Sequence, residues 1–370
     1  RALRYFGNAG VQAREGSSPN QVVIDVDVEE QPTGSLSFGA SFASANGFGF
    51  TAEMRERNFL GRGQSVALSF NTADGSESLS ISFKEPAFLG RDLGFGLSGS
   101  YGTTDSDFAA YNTESSSVST SINFPISENG RLSVRYSLGF EQVLEASVGS
   151  TVLRVDQDKG KQTFSSLGYT YSLDTRKTGL NPDAGLIFRF SQDFAGLGGN
   201  KKYLRSNFFA GATTKVLSDE VTLRAVFEGG SHTSLNGTTS SVTDRFRSSG
   251  RLRGFQPNGF GPREQDISED YALGGNNYAV MRFDADFPLG LPEEYGISGG
   301  VYFDAGSVWG LDNNINAGID DSFSLRSTIG ASIFWTTPIG PLRFNFSKPL
   351  EYKDNFDKTE TFDLTVSTSF

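Results

Sequence analysis

From about residue 32 onward the chain alternates apolar and polar residues with a period of two, and the polar rows carry charge. Met281, Phe283, Ala285 and Phe287 alternate with Arg282, Asp284 and Asp286, and Leu342, Phe344 and Phe346 with Arg343, Asn345 and Ser347. Successive side chains of a strand point to opposite faces, so each such row is a strand with one apolar and one wet face. A dry β-sandwich or β-helix interior cannot hold a row like Arg282, Asp284 and Asp286, because burying unpaired charge is too costly. A single wall with lipid on one side and water on the other accommodates both rows.

Composition supports a wall rather than a packed interior. Only 36% of residues are hydrophobic, yet 33 are Phe, enough for one apolar face. No apolar run approaches the roughly 18 to 20 residues that a spanning helix needs, whereas a spanning strand needs about 9 to 11. About sixteen strands are predicted, near 34–43, 46–57, 62–71, 76–85, 91–103, 114–124, 130–143, 161–174, 184–194, 201–214, 219–230, 276–287, 294–305, 323–335, 340–348 and 361–370. The fold class is therefore all-β: a 16-stranded antiparallel transmembrane β-barrel with the long loop 231–275 folded inward. An even count puts both ends on one side. Hydrocarbon leaves no water for an open sheet edge, so the strand at 34–43 must meet the strand at 361–370.

Residues 1–31 read differently and form a separate segment, with the barrel occupying 32–370. Val22, Ile24, Val26 and Val28 alternate with Asp25, Asp27 and Glu29, the pattern of a half-buried strand with one acidic face. Residues 1–14 are expected to hold a helix end and a turn at Gly7-Asn8. The segment is too short to fold alone. The chain begins at Arg1 with no signal peptide, so the expectation is a processed or truncated form of a longer protein.

Several function classes lose support. A net charge of −11 argues against nucleic acid as a partner, since phosphate binding relies on clustered Lys and Arg. With no cysteine there is no disulfide framework. Gly94–Gly99 matches a dinucleotide-binding pattern and Gly296–Gly300 a nucleophile-elbow pattern, but both fall in strands without the helix each mechanism requires. His232, the only histidine, falls in the long polar loop, where a solvated side chain is expected. No catalytic residue, metal site or cofactor is assigned, because a nucleophile without an oriented base is inert.

The loop motif Leu252-Arg253-Gly254-Phe255 is the exception. Asp284 and Asp304 lie on the wet faces of strands that follow it. If the loop enters the lumen, the planar fork of Arg253 can reach both carboxylates. Three solvated charges without mutual contact remain the alternative on spacing alone.

These motifs together resemble the BamA-type outer-membrane assembly factors. Arg57–Gly63 resembles a family turn, Asp174-Thr175-Arg176 with Pro182 and Gly185 a mid-barrel signature, and Leu252–Phe255 the inward loop motif. Gly274-Gly275-Asn276, Phe303–Trp309 and Pro338–Leu342 follow in the same order. The last strand, with Phe362, Leu364, Val366 and Phe370, resembles a C-terminal recognition signal, and 1–31 resembles the end of the last periplasmic POTRA module. Ser367 stands where some relatives carry a glycine, and the cysteine pair of some relatives' loops is missing.

The resemblance implies that Arg253 pairs with Asp284 and Asp304. It implies a bacterial outer-membrane location with the soluble N-terminal part in the periplasm. It further implies insertion of β-barrel proteins, through client pairing at a weak seam between Ser35, Leu36, Ser37, Phe38, Gly39, Ala40 and Ser41 and the last strand. The implied partners are outer-membrane lipids, unfolded outer-membrane proteins and, through the POTRA modules, Bam lipoproteins. A related transporter of the two-partner secretion or TamA type is the alternative.

Overall fold

The computed structural model describes residues 6–369 apart from 19, 44–46, 74, 106–109, 148, 177–183, 219, 266–269, 314–318 and 338–339. Pro182, Pro338, Ile339 and Phe370, named above for their motifs, lie outside the described residues.

Two strands, β1 (Phe6–Glu15) and β2 (Val22–Glu30), form an antiparallel hairpin by themselves. This corrects the expected helix end at the start of the chain. The segment finds strand partners in β2, and its Gly7 is a bulge in the register rather than a turn. On the face read as half-buried, Val22, Ile24 and Val26 are 60–68% exposed and Val28 is 47% exposed. A single-layer hairpin has no second layer to cover an apolar face.

The barrel follows: β3 (Gly34–Ala43), β4 (Gly47–Phe59), β5 (Gln64–Ala73), β6 (Ser76–Glu85), β7 (Gly94–Asp105), β8 (Tyr111–Pro125), β9 (Gly130–Ala146), β10 (Gln162–Asp174), β11 (Gly185–Gly199), β12 (Tyr203–Val216) and β13 (Val221–Ser234). A short hairpin, β14 (Arg263–Gln265) and β15 (Asp270–Ala272), sits within the long loop. The wall then resumes with β16 (Asn277–Pro288), β17 (Ile297–Trp309), β18 (Arg326–Thr337), β19 (Gly340–Glu351) and β20 (Phe362–Ser369). Sixteen of these strands, β3–β13 and β16–β20, close into one antiparallel barrel in chain order, with β20 beside β3.

Alternation positions the two faces. Leu36, Met54, Leu97, Leu167, Phe283, Val301 and Ile329 are among the large apolar residues left exposed around the wall. Such a belt would be an aggregation surface in water and is the right surface in hydrocarbon. The lumen side is polar, and Asp304, Arg326, Thr328, Ser332 and Asn345 are buried there.

The rim that carries both ends of the barrel has connections such as 60–63 and 126–129; the longest connections, 147–161, 235–276 and 310–325, lie on the opposite rim. One of these holds the helix α1 (Thr151–Asp158), which packs Val152 and Leu153 against Val242, Tyr271 and Leu273 of the long loop. His232 is not in that loop. β13 continues through Ser234, and His232 is 4% exposed, its ring tilted against that of Tyr203 with centroids 4.9 Å apart. Pairing with β12 extends the strand past the polar residues that suggested a loop: Arg205 faces His232 in its register.

Candidate functional site: the inward loop and the seam

The connection between β13 and β16 turns into the barrel because its tip carries its own apolar core. Leu252, Phe255 and Phe260 are buried with Phe246 against Tyr278, Val280 and Val308, inward residues of β16 and β17. Phe255 and Phe260 meet edge to face at 5.1 Å. Fully burying a side chain of this size contributes about 1.5–3 kcal/mol, so the cluster offsets much of the cost of ordering a long loop.

Arg253 sits at the centre of this docking. Its backbone N–H donates to Asp304 Oδ2 at 3.1 Å, Nε to the same oxygen at 2.7 Å, Nη2 to Asp304 Oδ1 at 2.5 Å and Nη1 to Asp284 Oδ1 at 2.6 Å. The structure thus brings together Arg253, Asp284 and Asp304. Burial alone would lower the guanidinium pKa; the hydrogen bonds and charges of Asp304 and then Asp284 more than reverse this and raise it. The guanidinium also lies 3.7 Å from the centre of the Tyr302 ring, whose hydroxyl is held at 2.5 Å by Ser347 Oγ.

Three partners of the loop were not singled out from the sequence. Arg343 Nη2 lies 3.5 Å from Asp284, so two cations share two carboxylates. Arg282 Nη2 donates to Glu228 Oε1 at 2.8 Å and its Nη1 to the Arg251 carbonyl at 3.0 Å. Arg282 and Arg343 both stand in the charged rows read above, so the signal for them was an inward position at the level of Asp284. Tyr302 is adjacent to Phe303 and Asp304 and inward by the same alternation.

Gly254 has φ +84°, in the left-handed region that favours glycine, and a Cβ there would lie 2.8 Å from Thr328 Cγ2. The motif therefore joins a side chain that clamps the wall, a residue that permits close approach and a ring that fills the core.

The seam is the barrel's second distinctive feature. β20 pairs with β3 from Thr365 to Ser369, against Gly39 to Ala43. It pairs with β19 from Phe362 to Val366. Among the described residues of β20, Thr365 and Val366 alone have a strand partner on each side. By comparison, β8 pairs with β9 along its whole length, Tyr111 to Pro125.

Extrapolating the register puts Pro341 opposite Ser367, and proline has no N–H to give. The pairing with β3 passes through Ser367 to Ser369 without a bulge. Of the first-strand residues named above, Gly39, Ala40 and Ser41 face β20. Ser35, Leu36, Ser37 and Phe38 face β4 and have no described partner across the seam.

Among the described residues no group of three or more His, Cys, Asp or Glu is placed to hold a metal. The Gly94–Gly99 pattern lies within β7, as its strand context required.

Residues 58–370 match the Omp85 superfamily domain. The outer membrane protein assembly factor BamA of Neorickettsia risticii is 27% identical over 100% of this chain and 49% of its own length. The chain spans about half the length of the curated BamA relatives it matches. The crystal structure of BamA from Haemophilus ducreyi lacking POTRA domains 1-3 superposes with a TM-score of 0.85 at 20% identity, covering 100% of this chain and 76% of that one. CdiB from Acinetobacter baumannii superposes with a TM-score of 0.59 at 15% identity, over 100% of this chain and 66% of that one.

Proposed function

Because this chain belongs to the Omp85 superfamily, we propose that it inserts β-barrel proteins into the bacterial outer membrane by accepting a client strand at the β20–β3 seam. The observation that carries this reading is the last strand's support on both sides at Thr365 and Val366 alone. Each hydrogen bond contributes about 0.5–1.5 kcal/mol net in water, so a seam from Thr365 to Ser369 opens far more readily than any long pairing in the wall. Once open in hydrocarbon, each unpaired backbone group costs several kcal/mol. The edge therefore takes up an extended strand by β-augmentation, starting at Ser35–Phe38 and continuing over Gly39–Ser41. No nucleotide and no covalent step enters.

The rim that carries both barrel ends faces the periplasm. We assign residues 1–31 to the end of a POTRA module, supported by the open Val22, Ile24 and Val26 face of the hairpin, which a further layer would cover. Unfolded outer-membrane proteins and outer-membrane lipids are the direct partners. Bam lipoproteins act through the modules before residue 1. A secretion channel would need the loop withdrawn from the lumen, and the Arg253 clamp favours the docked state.

The test uses Ser41→Cys with Ser367→Cys, facing positions of the seam in a chain that has no other cysteine. In the full-length protein reconstituted in proteoliposomes, oxidation is expected to stop client insertion and reduction to restore it. Undiminished insertion with the crosslink complete rejects the seam mechanism.

A further inference from the structure

The tip of the inward loop also grips a second segment, the connection between β19 and β20. Gln256 N donates to the Lys358 carbonyl at 3.0 Å, Lys358 N to the Gly259 carbonyl at 2.8 Å and Glu360 N to the Gly254 carbonyl at 3.0 Å. Phe255 and Thr359 form an antiparallel bridge. The two segments thus make a short strand pair inside the far rim, and the second leads within a few residues into β20 at Phe362.

The same connection is pinned from the other side by the wall. Arg326 of β18 donates from Nε to Asp357 Oδ2 at 2.9 Å and from Nη2 to Asp357 Oδ1 at 3.0 Å. The two side chains are 2% and 0% exposed. Lys353 N donates to the same carboxylate at 2.8 Å, which closes the turn over Lys353–Asp357. A planar two-point pair of this kind fixes orientation as well as distance.

We infer that the inward loop is a latch on the last strand, with Arg326 and Asp357 as its positioning residues. β20 has little wall pairing to hold it, so the loop tip supplies a third support at the strand's far end. Undocking Gly254–Gly259 releases Lys358 and Glu360 and lets Phe362–Val366 loosen, while docking holds them in register. Motion of the motif at Arg253 and motion of the seam are thereby one event. The functional meaning of the latch rests on the seam reading; its physical content, the coupling of loop to strand, does not.

The experiment reads backbone amide exchange in the full-length protein in lipid nanodiscs. Gln256 and Lys358 face each other in the same antiparallel register and both are exposed, so Gln256→Cys with Lys358→Cys ties the loop to the connection without touching the core. Oxidation is expected to slow exchange of residues 362–366 at least tenfold relative to the reduced form, with β12 and β13 unchanged. Arg326→Ala is expected to speed exchange of 362–366 at least tenfold, and the oxidised crosslink to restore protection in that background.

Exchange at 362–366 indifferent to the crosslink overturns the latch. Should Arg326→Ala fail to fold, the crosslink comparison in the otherwise native chain decides alone. Client insertion is measured separately with the Ser41→Cys and Ser367→Cys lock, so the latch and the seam mechanism can fail independently.

Discussion

Arg253 holds Asp304 with three donors, its backbone N–H, Nε and Nη2, and the Asp304 side chain has no exposure of its own. Removing the cation would leave a buried carboxylate with the backbone N–H alone, and uncompensated buried charge costs about 3–5 kcal/mol, less where lumen water screens it. Arg253→Ala is therefore expected to lower the midpoint of heat-induced barrel unfolding, read by gel mobility in detergent. Arg253→Lys should recover only part of the loss, since an ammonium cannot span both oxygens of Asp304 and reach Asp284. An unchanged midpoint in Arg253→Ala removes the clamp from the account.

Lys201 and Asp244 form a second buried pair, at 2.5 Å on the far rim, with Glu141 on the other side of the ammonium at 2.6 Å. Burial pushes the Asp244 carboxyl up, but the Lys201 charge outweighs it and brings the pKa down to about 2. An unfolded aspartate titrates near 3.9. The folded value is the lower one, so the pair's contribution is complete above about pH 4 and disappears as the pH falls towards about 2. Protease cleavage within the long loop should rise over that window in the wild type. Asp244→Asn should already be susceptible at neutral pH and show no further step there.

The helix α1 carries the third prediction. Its N-cap, Ser150, accepts from Leu153 N at 3.1 Å and is backed by a residue more than a hundred positions away: Glu264 accepts from Ser150 Oγ at 2.6 Å and from the backbone of Thr151 and Val152, each at 3.2 Å. Hydrogen bonds to a charged group contribute about 1.5–3 kcal/mol. Glu264→Ala should therefore raise amide exchange over 151–158 at least tenfold and leave the wall strands unaffected. Equal protection in the variant would show that the Ser150 cap and the packing of Val152 and Leu153 hold the helix without Glu264.

That helix also marks where the sequence stops being readable. The wall is legible because period two is imposed locally, by lipid on one face and water on the other; sixteen strands, their order and the meeting of β20 with β3 follow from it. Asp284, Asp304 and Arg343 are inward by the same count. An eight-residue segment such as Thr151–Asp158 has too little periodicity to declare itself, and the carboxylate that holds its Ser150 cap comes from a distant loop. His232 was misplaced for a related reason: strand length on the far rim is set by what the neighbouring strand offers, not by the polarity of the strand itself. The Arg326–Asp357 pair joins a wall strand to a loop, and alternation carries no information about where a loop folds back.

The last prediction separates two glycines of the long loop. Gly250 and Gly254 both have positive φ, +67° and +84°. An alanine in the left-handed region costs about 1–2 kcal/mol on conformational grounds alone. At Gly250 a Cβ would meet nothing within 4 Å, so that cost is the whole effect. At Gly254 it would also lie 2.8 Å from Thr328 Cγ2 and 3.0 Å from Ser347 Cβ, where the wall cannot give way without disturbing the lumen. Gly254→Ala should therefore lift the tip off β18 and β19 and expose the chain after Arg251 and Arg253 to trypsin, whereas Gly250→Ala, which carries the conformational cost alone, should be cut markedly more slowly than Gly254→Ala. Equal cleavage of the two variants would show that backbone conformation, rather than close approach to the wall, is what the glycine of the motif provides.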